Sequence, residues 1–189
     1  MILDTHNKFR ARIANGQENG QPKAANMNKL LWNDEIAKFA QRWADQCPSY
    51  PNGHDKNRKS PYLPNHGLNG GWVGQNVAWG IDMAPTFDYQ LADRVQQWYD
   101  EVNDWDTSEI GNFTQKDFGK IGHYSQLVWA KTQYVGCGAT YYKDADYYKK
   151  ILVCNYYPGG NVPGQPVYQI GAPGTKCASG KSQNGLCLV

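Results

Sequence analysis

A single histidine precedes an aromatic and apolar run in the segment GHYSQLVWAKTQYVGC, residues 122–137. A histidine in this setting can act as a general base, bind a metal ion or simply pack. Ser125 follows His123 by two positions, and two further groups with acid–base chemistry, His54 and Glu101, occur elsewhere in the chain. These residue types invite the hypothesis of a hydrolase in which a base activates a serine.

A nucleophilic serine needs more than a nearby histidine. A third group must orient the base, and an oxyanion pocket must lie beside the serine. Ser125 has no GxSxG context, which is the setting of many nucleophilic serines. We therefore expect no catalytic residue and predict that the protein is not an enzyme. A weak metal-dependent hydrolase stays as an alternative.

The helices that must position these side chains are predicted from apolar residues at helical spacing. A first helix over residues 2–14 ends before Gly16, and we expect His6 to pack on it. A second helix begins at Asn33, a favourable N-cap, and its apolar face extends to Cys47. The strongest helical pattern covers residues 86–106 and has Glu101 at the edge of its apolar stripe.

Strands and loops complete an α/β/α arrangement. The runs YVGCGATYY and YYKKILVCNYY, joined by KDAD, predict a β-hairpin, and WVGQNVAWG (residues 72–80) predicts a short strand. HYSQLVWA predicts a short fourth helix. Residues 48–71 are rich in Pro, Asn, Gly and Lys and predict a long loop, which contains His54 and His66. We expect His66 to be solvated in this loop and not to bind a ligand.

The five cysteines are spaced for disulfides rather than for a zinc site, since no CxxC pair occurs. Cys137 and Cys154 lie on the two strands of the predicted hairpin, and a disulfide between them would contribute about 3 kcal/mol. Cys177 and Cys187 bracket the segment CASGKSQNGLC, which a second disulfide would order. Cys47 is then unpaired.

Disulfides favour a secreted, extracellular protein. The N-terminal segment MILDTHNKFRAR is charged and amphipathic, so it is not a signal peptide. The chain is then either a mature or trimmed secreted protein or a cytosolic one. Asn112 begins the glycosylation sequon NFT, which agrees with secretion. No apolar run is long enough to span a membrane, and a net charge of +2 without a basic run gives no reason to expect a nucleic-acid partner.

Four segments resemble, in the right order, motifs of the CAP superfamily, which contains cysteine-rich secretory proteins, insect antigen 5 venom allergens and plant pathogenesis-related proteins. GHYSQLVWAKT (residues 122–132) and ILVCNYYPGGNV (residues 151–162) are similar to its two signature motifs. HNKFR (residues 6–10) and GQNVAW (residues 74–79) resemble its secondary motifs. The variants GQN, WNDE and QPKAANM are most similar to the insect antigen 5 branch, which is secreted in venom or saliva.

The resemblance implies a three-layer α-β-α sandwich with a central cleft that holds two histidines and two acidic residues. Matched position by position, the cleft residues are His54, His123 and Glu101, whereas Gln75 replaces the usual second acid. An amide is a poorer zinc ligand than a carboxylate. The resemblance therefore implies weak binding of zinc or another divalent ion at most, and no required cofactor.

Relatives in this superfamily bind sterols, fatty acids or eicosanoids in hydrophobic spaces. The residues of this chain expected to line such a space are Tyr124, Leu127, Val128 and Trp129. The alternative is that these side chains form the core of the sandwich, which a domain of this size needs. The resemblance implies a CAP domain over residues 1–170, followed by a short cysteine-containing tail over residues 171–189.

The function implied is that of a non-enzymatic allergen that binds a hydrophobic ligand and is recognised by IgE in sensitised hosts. A toxin-like blocker of a host channel or receptor is an alternative, with Lys176 and Lys181 in the tail as the surface to test. Antigen 5 proteins carry a cysteine-rich extension before the helix that contains HNxxR. We therefore expect that the partner of Cys47 lies in such an extension, or that the protein is naturally short.

Overall fold

A four-stranded sheet forms the middle layer of the fold. The computed structural model describes residues 1–49, 53–83 and 91–189, without the side chains of residues 60–62. The strands of the sheet are β1 (Leu31–Trp32), β4 (Gly74–Asp82), β5 (Tyr134–Asp144) and β6 (Tyr147–Tyr157), in the order β1-β5-β6-β4. β1 runs parallel to β5, and the other neighbours are antiparallel. The predicted β5–β6 hairpin is confirmed.

Helices cover both faces of this sheet. One face carries α2 (Asp34–Ala44), and the other carries α1 (Ile2–Ala14), α3 (Leu91–Asp100) and α4 (Phe118–Leu127). Side chains alternate between the faces along β6, because successive residues of a strand point to opposite sides. Ile151 and Val153 pack with α2, whereas Leu152 and Tyr156 belong to the larger core. The three-layer α-β-α sandwich expected from the sequence is confirmed.

α2 lies unusually close to the sheet. Its N-cap is Asn33 as predicted, since Asn33 Oδ1 accepts a hydrogen bond from Ile36 N at 3.1 Å. A Cβ atom at Gly138 of β5 would lie 2.3 Å from Gln41 Cα, so only glycine permits this approach. The helix ends at Ala44, and Cys47 therefore lies beyond it rather than on its apolar face.

The prediction of a long loop over residues 48–71 was wrong in its second half. Lys59–Leu63 (β2) and Leu68–Trp72 (β3) form an antiparallel hairpin around a short 3₁₀ turn. Leu68 is buried against Ile36 of α2. A distant element thus supplies the apolar contacts of this hairpin, and local composition does not reveal them.

Two helix boundaries also differ from expectation. Within the predicted helix 86–106, the described part is α3, followed by a 3₁₀ turn over Glu101–Asp104; residues 84–90 lie outside the described part. The fourth helix begins earlier than predicted and ends at Leu127. At and just beyond its end, the carbonyl groups of Leu127 and Trp129 accept hydrogen bonds from Arg10 Nη1, both at 2.9 Å.

The C-terminal tail is fastened to the segment that precedes β1. The structure contains both expected disulfides, Cys137–Cys154 and Cys177–Cys187. The second closes a tail hairpin of β7 (Ser182–Gln183) and β8 (Leu186–Cys187). Cys187 N donates to Met27 O at 2.7 Å, which anchors the tail to the domain. Among the described residues, no helix has the length and apolar character needed to cross a membrane.

Candidate functional site

His123 is held by Glu101. Glu101 lies in the 3₁₀ turn after α3, and its carboxylate faces the middle of α4. Its Oε1 is 2.6 Å from His123 Nδ1, and its Oε2 accepts hydrogen bonds from the backbone N–H groups of His123 and Tyr124, both at 2.9 Å. A carboxylate can only accept here, so Nδ1 of His123 carries the proton. Glu101 thereby fixes both the tautomer and the direction of the ring.

Two further contacts restrict the His123 ring. Trp98 of α3 stacks against it with ring centroids 6.0 Å apart. Asn76 of β4 donates to the backbone carbonyl of His123 at 3.1 Å. The His123 side chain is 33% exposed, so one edge of the ring faces solvent.

His54 is held in the same way by a neutral group. Gln75 Oε1 is 3.0 Å from His54 Nδ1 and also accepts from Asp55 N at 3.0 Å. The amide nitrogen of Gln75 donates to Asn155 Oδ1 at 2.9 Å, which fixes the orientation of the amide. The carbonyl oxygen of Gln75 is an acceptor, so His54 also carries its proton on Nδ1.

The two histidines have matching tautomers. Burial is the main cause that lowers the pKa of His54; the hydrogen bond with Gln75 opposes it, and the charge of Arg58 adds to it. In each ring Nδ1 is occupied, and Nε2 has no hydrogen-bond partner in the described part of the chain. A neutral imidazole whose other nitrogen is bonded to a side-chain oxygen is the usual form of a metal-binding histidine.

The fit to a metal ion is partial. Within residues 1–49, 53–83 and 91–189, no group of three or more His, Cys, Asp or Glu side chains is placed to hold an ion. Glu101 does not provide a third ligand in this arrangement, because both its oxygens are occupied by His123 and Tyr124. The site therefore offers two nitrogen ligands, His54 and His123. Water or a bound molecule would have to complete a tetrahedral zinc site.

Ser125 is not arranged as a nucleophile. It is fully buried, and its hydroxyl group donates to Asn161 Oδ1 at 2.7 Å. Asn161 in turn donates to Gly122 O at 2.8 Å. The serine therefore links α4 to the segment after β6 and forms no bond with His123.

The residues expected to line a hydrophobic ligand space lie in the larger core. Tyr124, Leu127, Val128 and Trp129 are each at most 2% exposed. Tyr124 packs edge-on against Trp105 at 5.3 Å between ring centroids. Core packing accounts for these four side chains, and their role in ligand binding stays a prediction.

The family model of the cysteine-rich secretory protein family, CAP, matches residues 3–156. The chain belongs to the CAP family. Scoloptoxin SSD552 of Scolopendra dehaani is 42% identical over 189 residues, which cover 99% of this chain and 82% of that protein. Venom allergen 5.02 of Vespa crabro is 42% identical over 173 residues, 89% of this chain and 78% of that protein. The venom allergen 5 relatives confirm the antigen 5 branch.

Solved structures agree with this assignment. The crystal structure of NaASP2 with Zn²⁺ matches this CAP protein with a TM-score of 0.73 and 28% sequence identity, over 98% of this chain and 92% of that one. The structure of BmVAL-1 matches with a TM-score of 0.78 and 27% identity, over 100% of this chain and 92% of that one.

Two buried groups that matter for the CAP fold escaped the sequence analysis. Arg10 is fully buried and donates to backbone carbonyl groups from residues 28 and 127–132. His6, expected only to pack, also bonds through Nε2 to the Tyr156 hydroxyl at 2.8 Å. Tyr156 accepts from Asn76, so a polar chain runs from α1 to His123. Both residues belong to the motif HNKFR, which is the sequence feature that could have indicated their buried hydrogen bonds.

The described surface also contains cavities that the sequence did not indicate. A cavity of about 370 Å³ borders His54 and Trp43. A larger groove of about 660 Å³ lies at the far end of the sheet, between Cys47, Trp79 and Tyr142. Cys47 is a free cysteine, as predicted.

Proposed function

We propose that this protein is a secreted CAP venom protein that is not an enzyme and that binds a divalent metal ion, zinc in the first instance, through Nε2 of His54 and His123. The observation that carries the proposal is the pairing of both Nδ1 atoms with side-chain oxygens, 3.0 Å from Gln75 and 2.6 Å from Glu101. The solved structure of a similar protein, NaASP2 with Zn²⁺, supports the choice of ion.

Zinc binding is expected to be weak because the surroundings carry too little negative charge. Two neutral imidazoles, one carboxylate and a divalent cation leave a net positive charge in the cleft. Gln75 orients His54 without adding charge, whereas Glu101 orients His123 and adds one. A bound zinc ion would supply a Lewis acid. Gln75 and Glu101 hold the two rings, and among the described residues Ser125 is not available as a nucleophile because it bonds Asn161.

The test is a calorimetric titration of the metal-free protein with zinc. We expect one site that the double substitution His54→Ala and His123→Ala abolishes, while the exposed His66→Ala variant binds as the wild type does. Glu101→Gln should weaken binding by about tenfold or more, since partners that orient a ligand typically contribute that much. Gln75→Glu should tighten it. A wild type without saturable zinc uptake, or an unaffected double variant, would refute the proposal.

A hydrophobic ligand is a second candidate function, and the groove of about 660 Å³ favours it. Trp79, Ile81 and Tyr142 give this groove an apolar lining of the kind that ligand sites use. Native mass spectrometry with lipid extraction, on protein purified from its secreting tissue, tests the idea. A co-purifying sterol, fatty acid or eicosanoid that Trp79→Ala releases would support it. A ligand that Trp129→Ala releases and Trp79→Ala does not would instead favour the space lined by Tyr124, Leu127, Val128 and Trp129.

The same relatives support proposals on secretion and host recognition. We propose that the protein reaches venom or saliva, is glycosylated at the exposed Asn112, and binds IgE from sensitised hosts. Mass spectrometry of the secretion, with and without glycosidase, tests the first two points, and immunoblots with sera from sensitised hosts test the third. A channel- or receptor-blocking role would require block that is lost when Lys176 and Lys181 are replaced. A hydrolase would require activity that falls in His123→Ala and Glu101→Ala.

A further inference from the structure

A second, smaller cavity lies beside the turn that carries His54. It has a volume of about 110 Å³ and is lined on its apolar side by Ile36, Phe39 and Val73. Asp55 and Asn57 border both this cavity and the one beside His54. The space suits a group the size of a single carboxylate or phosphate.

Arg58 lines this cavity, and two hydrogen bonds and a ring contact hold its guanidinium group in place. Its Nε donates to Val73 O at 2.9 Å, and its Nη1 donates to Asp55 O at 2.6 Å. The guanidinium group also lies over the Trp72 ring, 4.6 Å from the ring centroid. These contacts leave Nη2 and the second hydrogen of Nη1 without a protein acceptor in the described part of the chain.

The charge of Arg58 is incompletely compensated. The two acceptors named above are neutral carbonyl groups, and no carboxylate within residues 1–49, 53–83 and 91–189 forms an ion pair with Arg58. Burial is the main cause that lowers the pKa of Arg58, and Asp55 opposes this effect. The Asp55 carboxylate accepts from Asn57 N at 2.8 Å. With Lys59 also on the wall, the charged side chains around the cavity sum to +1.

Asn155 provides a further donor on the same wall. It is 2% exposed and lines the cavity. Its Oδ1 accepts from Gln75, as described above, so the N–H groups of its amide are what remain for a ligand. A preoriented guanidinium fork beside an amide donor is a typical arrangement for binding an oxyanion.

We propose that this cavity is an oxyanion site in which Arg58 binds a carboxylate or phosphate group. The side chains that would bind the anion, Arg58 and Asn155, differ from the proposed metal ligands His54 and His123, although Gln75 joins Asn155 to His54. A carboxylate and a phosphate group share the same chemistry here, because each offers two oxygens that accept hydrogen bonds from the guanidinium group of Arg58. The remainder of the ligand would contact the apolar wall of the cavity.

The test is an NMR titration of the full chain with acetate and, separately, with inorganic phosphate. Ionic strength is held constant with chloride, and metal ions are removed beforehand on an immobilised chelating resin, so that neither a metal ion nor a soluble chelator can interfere with the anion. We expect saturable shifts of the Arg58 Nε–H and of the backbone N–H groups of Asn57 and Lys59. A tighter response to acetate identifies a carboxylate ligand, and a tighter response to phosphate a phosphorylated one.

Arg58→Gln should weaken binding by about tenfold or more, because a charge-assisted fork is lost. The control Arg94→Gln removes the same charge from another half-buried arginine and should leave the affinity unchanged. Arg58→Gln also removes the hydrogen bonds to Val73 O and Asp55 O, so the variant could lose affinity for structural reasons. The shift of the Arg58 Nε–H in the wild type reports binding without this complication. Shifts that do not saturate, that map away from residues 55–59, or that persist unchanged in Arg58→Gln would overturn the proposal.

Discussion

Acidification is expected to destabilise this protein through a single buried histidine. His6 is fully buried in the larger core. Burial, the dominant cause, lowers its pKa from 6.5 to about 4. Its Nδ1 lies 2.9 Å from Ile2 O, so the proton sits on Nδ1 and Nε2 accepts from the Tyr156 hydroxyl. A second proton on Nε2 would reverse this bond, so that the Tyr156 O–H loses its acceptor, and would place a charge in the core.

The sign and size of the effect follow from linkage. Above the ordinary pKa of 6.5, His6 is neutral in both the folded and the unfolded state, and its contribution to stability is fully present. As the pH falls towards 4, His6 becomes protonated in the unfolded chain but stays largely neutral in the folded protein. A tenfold difference in proton affinity corresponds to about 1.4 kcal/mol, so the loss reaches roughly 3 kcal/mol near pH 4.

Urea unfolding near pH 7 and near pH 4.5 measures this loss. Other groups titrate in the same range, so the informative quantity is the difference between the wild type and His6→Gln, which cannot titrate. The wild type should lose roughly 2–3 kcal/mol more than His6→Gln between the two pH values. The exposed His66→Gln variant should behave as the wild type does. Equal losses in the wild type and in His6→Gln would refute the reasoning.

Three further predictions concern stability, each read as a change in the free energy of unfolding in urea. Arg10→Met should cost at least about 3 kcal/mol because it strands several buried carbonyl groups, and a cost below about 1 kcal/mol would contradict the bonding described here. Gly138→Ala should cost about 1–3 kcal/mol, since its methyl group meets Gln41; an unchanged midpoint would show that α2 lies further from β5. Replacing Cys137 and Cys154 together by alanine should cost about 3 kcal/mol through the loop that they close, and a cost near zero would indicate a constrained unfolded state.

Local sequence patterns predicted the elements whose stabilising contacts are also local. The N-cap of α2 depends on Asn33 and Ile36, three residues apart, and the β5–β6 hairpin is joined by a short turn. The motifs of the family depend on short segments too, so the family and the layers of the sandwich could be inferred. The β2–β3 hairpin was missed because its apolar support, Ile36, comes from another element.

The candidate site was predictable in its residues but not in its arrangement. Motif matching named His54, Glu101, His123 and Gln75. The structure shows that the pairs are Gln75 with His54 and Glu101 with His123, each joined across more than 20 residues of chain. No local pattern contains such a pairing, because the sheet and the packing of α3 against α4 create it.

The sequence by itself determined the family, the three-layer architecture and the two disulfides, since each depends on residue type and short spacing. Only the tertiary structure decided that Tyr124, Leu127, Val128 and Trp129 are buried in the core and that Ser125 bonds Asn161 rather than His123. It also decided that Arg58 lines a cavity and forms no ion pair with any carboxylate in the described part of the chain. These outcomes depend on which distant segments pack together, and burial and hydrogen-bond pairing are properties of that packing rather than of any one segment.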